Sequence, residues 1–452
     1  MKKLLYIFIL SIVAFSCDVF DVEPEASISD QGAITNASGL NAALAGLYDQ
    51  LQVNYYQGEF FFLADVSSDI SQSVGTWDFY REMDTYVVSP DNLEVRDLWA
   101  AMYEVVNQAN NIIEAAPNVS DANEAARNSA LGQAYFARGL AFFDIARTWG
   151  GIPGVYGDQG VAIPTQPSRA VQLYSRASLQ ETYAQIESDL MQALNLLSDT
   201  GGPARPTKAA ARALLARMYL HLGNNEQASN YATQVINDTK FQLVADYASI
   251  FTGKNTAESI FELQFDATDQ STTRFWYYPG ALGGRGDLAA HDEFYNAIPD
   301  GDERKQLYAF DNSAKFWYPT KYAKAGNIDN THILRIAEMY LIRAEADFKS
   351  GKGNPLADLN AVRTRANLAP LGAISSIDDI LNERKVEFAF EGHRWFDLVR
   401  TGKALSVLAA VPRTNSPGAP ASLTDAGRQV FPVPNAELNA NPNMQQNAAY
   451  QR

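Results

Sequence analysis

Hydrophobic residues recur every three or four positions along much of the chain, which is the spacing of one buried helix face. Between residues 97 and 116 this face is formed by Leu98, Met102, Val105, Ala109, Ile112 and Ile113. Asp97 precedes the run as a helix-start residue, and Pro117 ends it. A second helix is predicted over residues 124–148, before the turn sequence WGGIPG. Two further amphipathic stretches, 178–197 and 207–223, flank the loop SDTGGPARP, so the pattern predicts helical hairpins.

One of these hairpins resembles a known helical repeat. Tyr219, Gly223 and Ala228 approximate the tyrosine, glycine and alanine placement of tetratricopeptide repeats. A looser match is formed by Phe348, Gly351 and Ala357. The glycine ends the first helix of such a pair, and the small residue lets the two helices approach closely. Because the repeats are degenerate and interrupted, we expect an all-α dominated scaffold with long loop insertions, and not an open regular solenoid.

Some of the inserted segments are not helical by pattern. The sequence ESIFELQFD, residues 258–266, alternates in a way that predicts a short strand, and KFWYPTKY, residues 315–322, predicts another extended piece. Between them, STTRFWYYPGALGGRG places four consecutive aromatic residues, 275–278, in a stretch that we interpret as a loop. A long loop in a compact fold is usually functional or disordered, and this one is too aromatic for disorder.

The N-terminus predicts export. Residues 1–16 begin with two lysines and continue with an apolar run too short to span a bilayer, which is typical of a secretory signal peptide. Cys17, the only cysteine in the chain, follows directly and resembles the lipidated residue of bacterial lipoproteins, although a chance cysteine in a cleaved signal is the alternative. We expect a membrane anchor at Cys17, a lipidated flexible tether over residues 17–30, and a single helical domain over residues 31–452.

Charge narrows the choice of ligand. The formal net charge of the 452-residue chain is −16, and removal of residues 1–16 takes away two lysines and no carboxylate. Such a surface repels nucleic acid, anionic lipid and polyanionic ligands. We therefore expect neutral ligands or cationic partners, and no nucleic acid.

Motifs for other chemistries are missing from the sequence. The four histidines lie far apart and form no zinc spacing: His221, His291, His332 and His393. The sequence DGDERKQ lacks the spacing of a calcium loop, and residues 283–286, GGRG, are too short for a dinucleotide loop. No nucleophile motif of the G-x-S-x-G type occurs. We expect no metal and no cofactor, and an enzyme is not the leading class.

Seven sequence blocks in a fixed order resemble the SusD/RagB family, the outer-membrane lipoproteins of polysaccharide utilisation systems. The blocks are LWAAMYEVVNQANNII, AYFARGLAFFDIARTWGGIP, KAAARALLARMYLHLG, ESIFELQF, KYAKAGNIDNTHILRIAEMYLIRAEA, LNERKVEFAFEGHRWFDLVRTGKA and VFPVPNAELNANPNMQQN. Each is weak alone, but the ordered set is specific. The resemblance implies one α-helical body of about four tetratricopeptide-like units, at the cell exterior on the outer membrane. It also implies a SusC-like TonB-dependent transporter as partner.

Glycan binding, which the resemblance implies, suits the aromatic loops. A sugar site needs flat rings for the C–H faces and polar groups for the hydroxyls. We expect the ligand-binding residues to be Trp276, Tyr277, Tyr278 and Arg274 from one loop, Trp77, Tyr80 and Arg81 from an earlier loop, and Asp65 and Asp69 facing the same opening. Trp276 is the first choice, and its replacement by alanine is expected to abolish binding with little change in melting temperature.

The most recognisable block, ERKVEFAFEGHRWFDLVRTGK, is predicted to be structural. Its charged residues recur at spacings of three and four, as in ion pairs along and between helices: Glu387, Glu391, Arg394, Asp397 and Arg400. Trp395 and Phe396 are expected in the core. Arg138, Asp144 and Arg147 are likewise expected to be buried helix partners. A glycosidase acid and base at Glu387 and Glu391 is disfavoured, since two neighbours on one helix face leave no gap for a sugar.

The sequence therefore predicts a cell-surface protein that binds oligo- or polysaccharide and delivers it to a SusC-like transporter. A neutral glycan such as a glucan or fructan is preferred. Two alternatives of other classes stay open: a peptide-binding or lid component of the same kind of complex, and a glycoside hydrolase.

Overall fold

The computed structural model describes residues 34–169, 172–414 and 421–451. The predicted signal peptide, the Cys17 anchor and the tether lie outside the described residues. Within the described part, no helix combines the length and the apolar character needed to cross a bilayer.

Helices dominate the structure. They are α1 (Ala37–Leu51), α2 (Glu59–Val66), α3 (Asp78–Asp84), α4 (Leu93–Ala115), α5 (Glu124–Trp149), α6 (Leu179–Leu196), α7 (Lys208–His221), α8 (Asn225–Ile236), α9 (Ser249–Thr252), α10 (Thr273–Tyr277), α11 (Asp292–Ala297), α12 (Ile336–Ser350), α13 (Pro355–Arg365), α14 (Ile377–Glu387), α15 (Arg394–Arg400), α16 (Ala404–Val407) and α17 (Asn435–Ala440). The strands are β1 (Ser71–Ser73), β2 (Ser259–Leu263), β3 (Leu288–Ala290), β4 (Tyr308–Asp311), β5 (Phe316–Pro319) and β6 (Thr331–Arg335).

The long helices pack as successive pairs. Helix α1 packs on α4, α5 on α6, α7 on α8, and α12 on α13, while α4 with α5 and α8 with α12 form the main contacts between pairs. This is the predicted tetratricopeptide-like arrangement, with four helix pairs in the described part of the chain. One continuous buried cluster runs from Leu40 to Met444 and joins the pairs to the strands.

The repeat signature is confirmed in the third pair and only in part in the fourth. Gly223 ends α7 with φ of +76°, a conformation that favours glycine, and Ala228 is buried between the helices. Gly351 ends α12 in the same way with φ of +66°. Ala357, however, is exposed and does not mediate a close helix approach.

Local caps explain the helix bounds. Helix α5 begins where predicted, because the Asn123 side chain accepts a hydrogen bond from the N–H of Ala126 at 2.8 Å. The predicted start of α4 at Asp97 is wrong. Asn92 caps this helix by accepting a hydrogen bond from the N–H of Val95 at 3.2 Å, so the helix begins at Leu93. The Leu93 side chain is exposed, so it does not belong to the buried helix face from which the start was predicted.

The strands form two small antiparallel sheets. Strands β2 and β6 pair beside the helices, and β1, β3, β5 and β4 form a four-stranded sheet in that order. The strands predicted in residues 258–266 and 315–322 are confirmed as β2 and β5. The interpretation of residues 275–278 as a loop is wrong for the first three, which belong to helix α10.

The charged residues of the ERKVEFAFEG block form a buried ion network, as predicted. Glu387 accepts from Arg335 at 3.0 Å and from Arg304 at 3.2 Å. Glu391 accepts from Arg335 at 2.8 Å and from Lys321 at 2.8 Å. Burial favours the neutral acid, but these cations together with Arg365 hold the pKa of Glu387 below its ordinary value. Both carboxylates are therefore structural, and neither faces a sugar-sized gap.

The other structural predictions for charged and aromatic residues are also confirmed. Asp397 accepts from Arg384 and Arg400, and Arg400 also binds Glu345. Arg138 forms a two-pronged pair with Asp189, Arg147 pairs with Asp144, and Trp395 and Phe396 are buried. In the described residues, no group of three or more histidine, cysteine, aspartate or glutamate side chains is placed to hold a metal ion.

Candidate functional site

The loop between β1 and α3 carries Trp77 to the surface. The N–H groups of Val74 and Gly75 both donate to the carbonyl oxygen of Asp287, at 2.8 and 3.1 Å, which ties this loop to the start of β3. A Cβ atom at Gly75 would lie 2.2 Å from the Asp287 carboxylate, so the close approach requires glycine. The Trp77 side chain remains 41% exposed at this position.

Helix α10 places a second tryptophan beside this loop. Thr273 and Tyr277, four residues apart, are both buried and form the inner face of a single helical turn. That geometry leaves Phe275 exposed and Trp276 half-buried. The Trp276 ring packs edge-on against Tyr80, with centroids 5.2 Å apart and an angle of 83° between planes.

Arg285 lies between the two tryptophans. Its guanidinium carbon is 4.9 Å from the centroid of Trp77 and 6.0 Å from that of Trp276. The side chain is held by an ion pair with Asp287, and the backbone N–H donates to the carbonyl of Phe275 at 2.6 Å. A guanidinium over an indole face is attractive, so Arg285 fixes the relative position of the two rings.

Trp77 opens onto a cleft of ≈ 510 Å³, which we call the first cleft. It is lined by Thr76, Trp77, Asp78, Phe79, Glu82, Asp91, Asn92, Leu93 and Arg285. The Glu82 carboxylate accepts from the Asn92 side-chain amide at 2.7 Å and from the N–H of Ser89 at 3.0 Å, which makes this wall rigid. Three carboxylates and one guanidinium line the cleft, so its charge is negative.

Four of the predicted ligand residues are interior, and Tyr278 is one of them. Tyr277 and Tyr80 are buried beneath the tryptophans, where burial raises the pKa of both phenols well above the ordinary value. Asp65 is fully buried, and its pKa is also raised well above the ordinary value by burial. We therefore correct their assignment, because a ligand at the surface does not reach these groups.

Asp69 has a structural role that the sequence did not reveal. Its carboxylate accepts from Arg394 at 2.7 Å and from Lys385 at 2.7 Å, so it joins α14 and α15 to the segment before β1. Burial favours the neutral acid, but these two cations hold the pKa of Asp69 below its usual range. Asp69 and Asp65 do not face the first cleft.

The remaining predicted residues lie around the tryptophans. Arg274 donates to the carbonyl of Leu282 at 2.6 Å, and its guanidinium carbon is 4.5 Å from the centroid of Tyr278, which is buried. Arg81 is exposed and pairs with Asp78 at 3.6 Å. Neither arginine is among the residues that line the first cleft.

Comparison with known proteins gives the family. One matching model is described as the SusD family and covers residues 299–450, and a second is described as starch-binding, associating with the outer membrane, and covers residues 18–220. The chain belongs to the SusD/RagB family. A SusD-like protein of Formosa agariphila is 26% identical over 515 aligned residues, which cover 99% of each chain.

Solved structures of the SusD superfamily share the fold. A SusD superfamily protein from Bacteroides vulgatus has a TM-score of 0.82 at 26% identity, covering 92% of this chain and 100% of that one. Surface glycan-binding protein A from Bacteroides thetaiotaomicron, solved in complex with laminarihexaose, has a TM-score of 0.76 at 21% identity, covering 91% of this chain and 100% of that one.

Within this SusD/RagB fold, Arg285 has a role that was not predicted from the sequence. The residue lies nine positions after Trp276 in the stretch that drew attention for its aromatic residues. The sequence does contain a hint of this role, since an arginine and several aromatic residues occur in one glycine-rich insertion. Such a combination favours a cation–π contact.

Two half-buried carboxylates, Glu59 and Glu94, lie near the buried Tyr80 and were also missed. Burial raises the pKa of Glu59 to about 7 and that of Glu94 to about 8, and the proximity of Glu59 adds to the shift of Glu94. Glu59 accepts a hydrogen bond from the Thr272 hydroxyl at 3.2 Å. Ionisation of either carboxyl group therefore costs free energy in the folded chain.

Proposed function

We propose that this chain binds a neutral oligo- or polysaccharide at the cell surface, with Trp77 as the stacking platform of the first cleft. The observation that carries the proposal is the exposed Trp77 ring held by Arg285 at the rim of the cleft. A flat ring covers the apolar face of a sugar, while the exposed carboxylates of Asp78 and Asp91 offer polar groups to its hydroxyls. Trp276 extends the platform on the other side of Arg285.

The relatives support a glycan as the ligand class. The family model over residues 18–220 is described as starch-binding, and a protein of the same fold was solved with laminarihexaose. Both of these are neutral glucans. We infer that the present chain takes a ligand of the same class.

The charges around the site favour a neutral chain over an acidic one. The first cleft holds more carboxylates than cations, and the formal net charge of the whole chain is −16. A uronate-rich or sulfated glycan would be repelled at close range and at long range. Neutral glucans and fructans remain the preferred ligands.

We propose binding without bond cleavage. A glycosidase needs two carboxylates on either side of the scissile bond, one of them protonated. Glu387 and Glu391 are bound by buried arginine and lysine side chains, and Glu82 is held by Asn92 and a backbone N–H. These carboxylates are structural, which supports recognition as the chemistry of the site.

The wider role rests on the family. We propose that the mature chain is lipid-anchored at Cys17 in the outer membrane, faces the cell exterior, and delivers glycan to a SusC-like TonB-dependent transporter. The family model described as associating with the outer membrane supports this location. Peptide capture, or a lid role without glycan specificity, is the alternative.

Affinity electrophoresis of the chain from residue 18 onward tests the proposal. Starch, laminarin, inulin and an acidic pectin are cast into separate native gels, beside a gel without polysaccharide. We expect a neutral glycan to retard the protein and pectin to leave its mobility unchanged. Equal mobility in every gel would contradict glycan capture and favour the peptide or lid role.

A further inference from the structure

A second cleft of ≈ 550 Å³ lies along helix α4, apart from Trp77 and Trp276. Its walls come from α4, from residues 162–168 and 172–174, and from the C-terminal segment that contains α17. The residues important for its chemistry are Tyr103, Glu104, Gln166, Gln172, Tyr174 and Glu437. None of the expectations from sequence assigns a role to this cleft.

The walls of the second cleft are held in place by hydrogen bonds. The Asn110 side-chain amide donates to the carbonyls of Pro164 and Gln166, each at 3.0 Å. Asn110 is itself fixed by Arg138, which donates to its side-chain oxygen at 2.7 Å. The Tyr103 hydroxyl donates to the carbonyl of Ala162 at 3.1 Å. The cleft is thus a formed feature of the fold, which lowers the cost of ordering a ligand there.

The chain's C-terminal part closes the other side. The Asn441 side-chain amide donates to the carbonyl of Tyr174 at 2.8 Å and to the Glu437 carboxylate at 3.0 Å. The two segments that face α4 are therefore joined to each other. The opening between them is lined by both aromatic rings and side-chain amides.

The chemistry of the second cleft suits a sugar. Trp99 forms its floor, with a ring centroid 4.9 Å from that of Tyr103. Glu104 and the amides of Gln166 and Gln172 are exposed at its rim and can bond hydroxyl groups. Aromatic faces together with amides and carboxylates are what a neutral carbohydrate requires.

The two clefts lie along one face of the same helix. Leu93 lines the first cleft, and Arg96, Ala100, Glu104 and Asn107 line the second. Their spacings of three and four residues place them on one stripe of α4. Leu93 and Glu104 are separated by about 16 Å along the helix axis, from a rise of about 1.5 Å per residue. That length corresponds to several sugar units of an extended chain.

The wall between the clefts is shared. The Asn435 side-chain amide donates to the Asp91 carboxylate at 2.8 Å, and the Asn435 N–H donates to the carbonyl of Pro90 at 2.9 Å. Asp91 lines the first cleft, while Pro434 and Ala436, the neighbours of Asn435, line the second. The two clefts therefore adjoin at this wall.

We infer that the second cleft is a further sugar subsite, which binds the same neutral glycan chain several units away from Trp77. The inference rests on the proposed glycan-binding function and adds to it that the ligand is a long chain, not a short oligosaccharide. Two linked subsites raise the affinity for any chain that reaches both, because the second contact becomes intramolecular.

Isothermal titration with a length series tests this inference. The probes are laminaribiose, laminarihexaose and laminarin, and the corresponding series of maltose, maltohexaose and amylopectin. In the wild-type chain we expect at least about tenfold higher affinity, per binding site, for the long members of one series than for its short member. Equal affinity along the series would overturn the inference.

Substitutions in the second cleft test whether the higher affinity for long glycans depends on this cleft. Ala100→Lys places a long side chain into the second cleft from an exposed helix position, and Glu104→Ala removes a polar group from its rim. Both are expected to lower the affinity for the long glycan about tenfold and to leave the short-glycan affinity unchanged. The matched control is Ala42→Lys, at an exposed alanine of α1 that lines neither cleft.

The outcomes separate the two proposals. If Ala100→Lys and Glu104→Ala bind the long glycan as the wild type does, the second subsite is wrong, while glycan capture at Trp77 stands. If the wild type binds no member of either series and no polysaccharide retards it, both proposals fail. Melting temperatures near that of the wild type confirm that the variants are folded.

Discussion

The guanidinium carbon of Arg285 lies 4.9 Å from the centroid of the Trp77 ring. Arg285 is held in turn by Asp287, whose carbonyl accepts two backbone hydrogen bonds from the loop that carries Trp77. The exposed ring is therefore held by a chain of contacts that leads to the residue before β3. Rigid support of this kind lowers the entropy lost when a ligand stacks on the ring.

Replacing Arg285 tests this support. Arg285→Ala is expected to weaken glycan binding about tenfold, since a cation held over an indole contributes about 1 kcal/mol or more. Arg285→Lys should recover only part of the affinity, because lysine lacks the planar guanidinium. Isothermal titration with the retarding glycan gives both values.

The control for this experiment is Arg205→Ala. Arg205 is exposed, and its guanidinium carbon lies 3.7 Å from the centroid of Tyr48, in a contact that lines neither cleft. Its removal should leave glycan affinity unchanged. If both variants lost glycan affinity equally, the loss would reflect a general effect of removing a surface cation–π contact on stability. That result would contradict the proposed role of Arg285.

Trp276→Ala is expected to change both stability and binding. The sequence alone predicted a nearly unchanged melting temperature, but the ring is half-buried and packs on Tyr80. We expect a loss of about 2 kcal/mol in the free energy of unfolding, less than for a fully buried tryptophan. Denaturant titration measures this loss, and a variant as stable as the wild type would contradict the packing described here.

The ion network around Glu387 gives a prediction about stability. Glu387→Gln leaves Arg335, Arg365 and Arg304 with one buried anion fewer, at a cost of about 3–5 kcal/mol in the free energy of unfolding. The control is Asp300→Asn, which removes only the ion pair of a fully exposed carboxylate with Lys305 and should cause no measurable change. A small effect in both variants would show that the network contributes little.

The pH dependence of stability follows from Glu59 and Glu94. Burial raises the pKa of these groups to about 7 and about 8, from 4.5. Between pH 4.5 and 8 the folded chain thus binds more protons than the unfolded chain, so this contribution to stability is complete below pH 4.5 and is lost as the pH rises. Thermal unfolding measured across this pH range should show that the melting temperature falls more steeply with rising pH in the wild type than in the double variant Glu59→Gln, Glu94→Gln.

The matched control is Glu226→Gln, at an exposed glutamate of α8. It changes the net charge by the same sign without touching the two tryptophans or the clefts. Its decline in stability should follow that of the wild type. If the melting temperature of the double variant depends on pH as that of the wild type does, ionisation of the two carboxylates does not destabilise the folded chain as expected.

The helical hairpins could be predicted because their information is local. The bounds of α5 agree with the sequence to within one residue at its C-terminal end, since Asn123 caps one end and a glycine pair follows the other. The start of α4 was missed because Leu93 is exposed and its capping residue, Asn92, lies before any apolar period. The local spacing of hydrophobic residues thus predicts the helical architecture but not the start of every helix.

The site was harder to predict because exposure depends on distant contacts. Four consecutive rings at residues 275–278 look alike in sequence, yet α10 buries Tyr277 and leaves Phe275 exposed. Trp77 reaches the surface because Gly75 binds Asp287, more than 200 residues later in the chain. The prediction for Asp69 was wrong for the same reason. Its partners Lys385 and Arg394 lie more than 300 residues later in the chain, in helices α14 and α15.

Titration of Trp77→Ala with the glycan that retards the wild type tests the central claim most directly. Trp77 is exposed, so the variant should keep its melting temperature within a few degrees, while its affinity falls at least about tenfold because the stacking platform is lost. Trp77→Phe, which keeps a smaller ring, should bind with intermediate affinity. A folded Trp77→Ala chain that binds the glycan as tightly as the wild type would contradict the assignment of the first cleft as the sugar site.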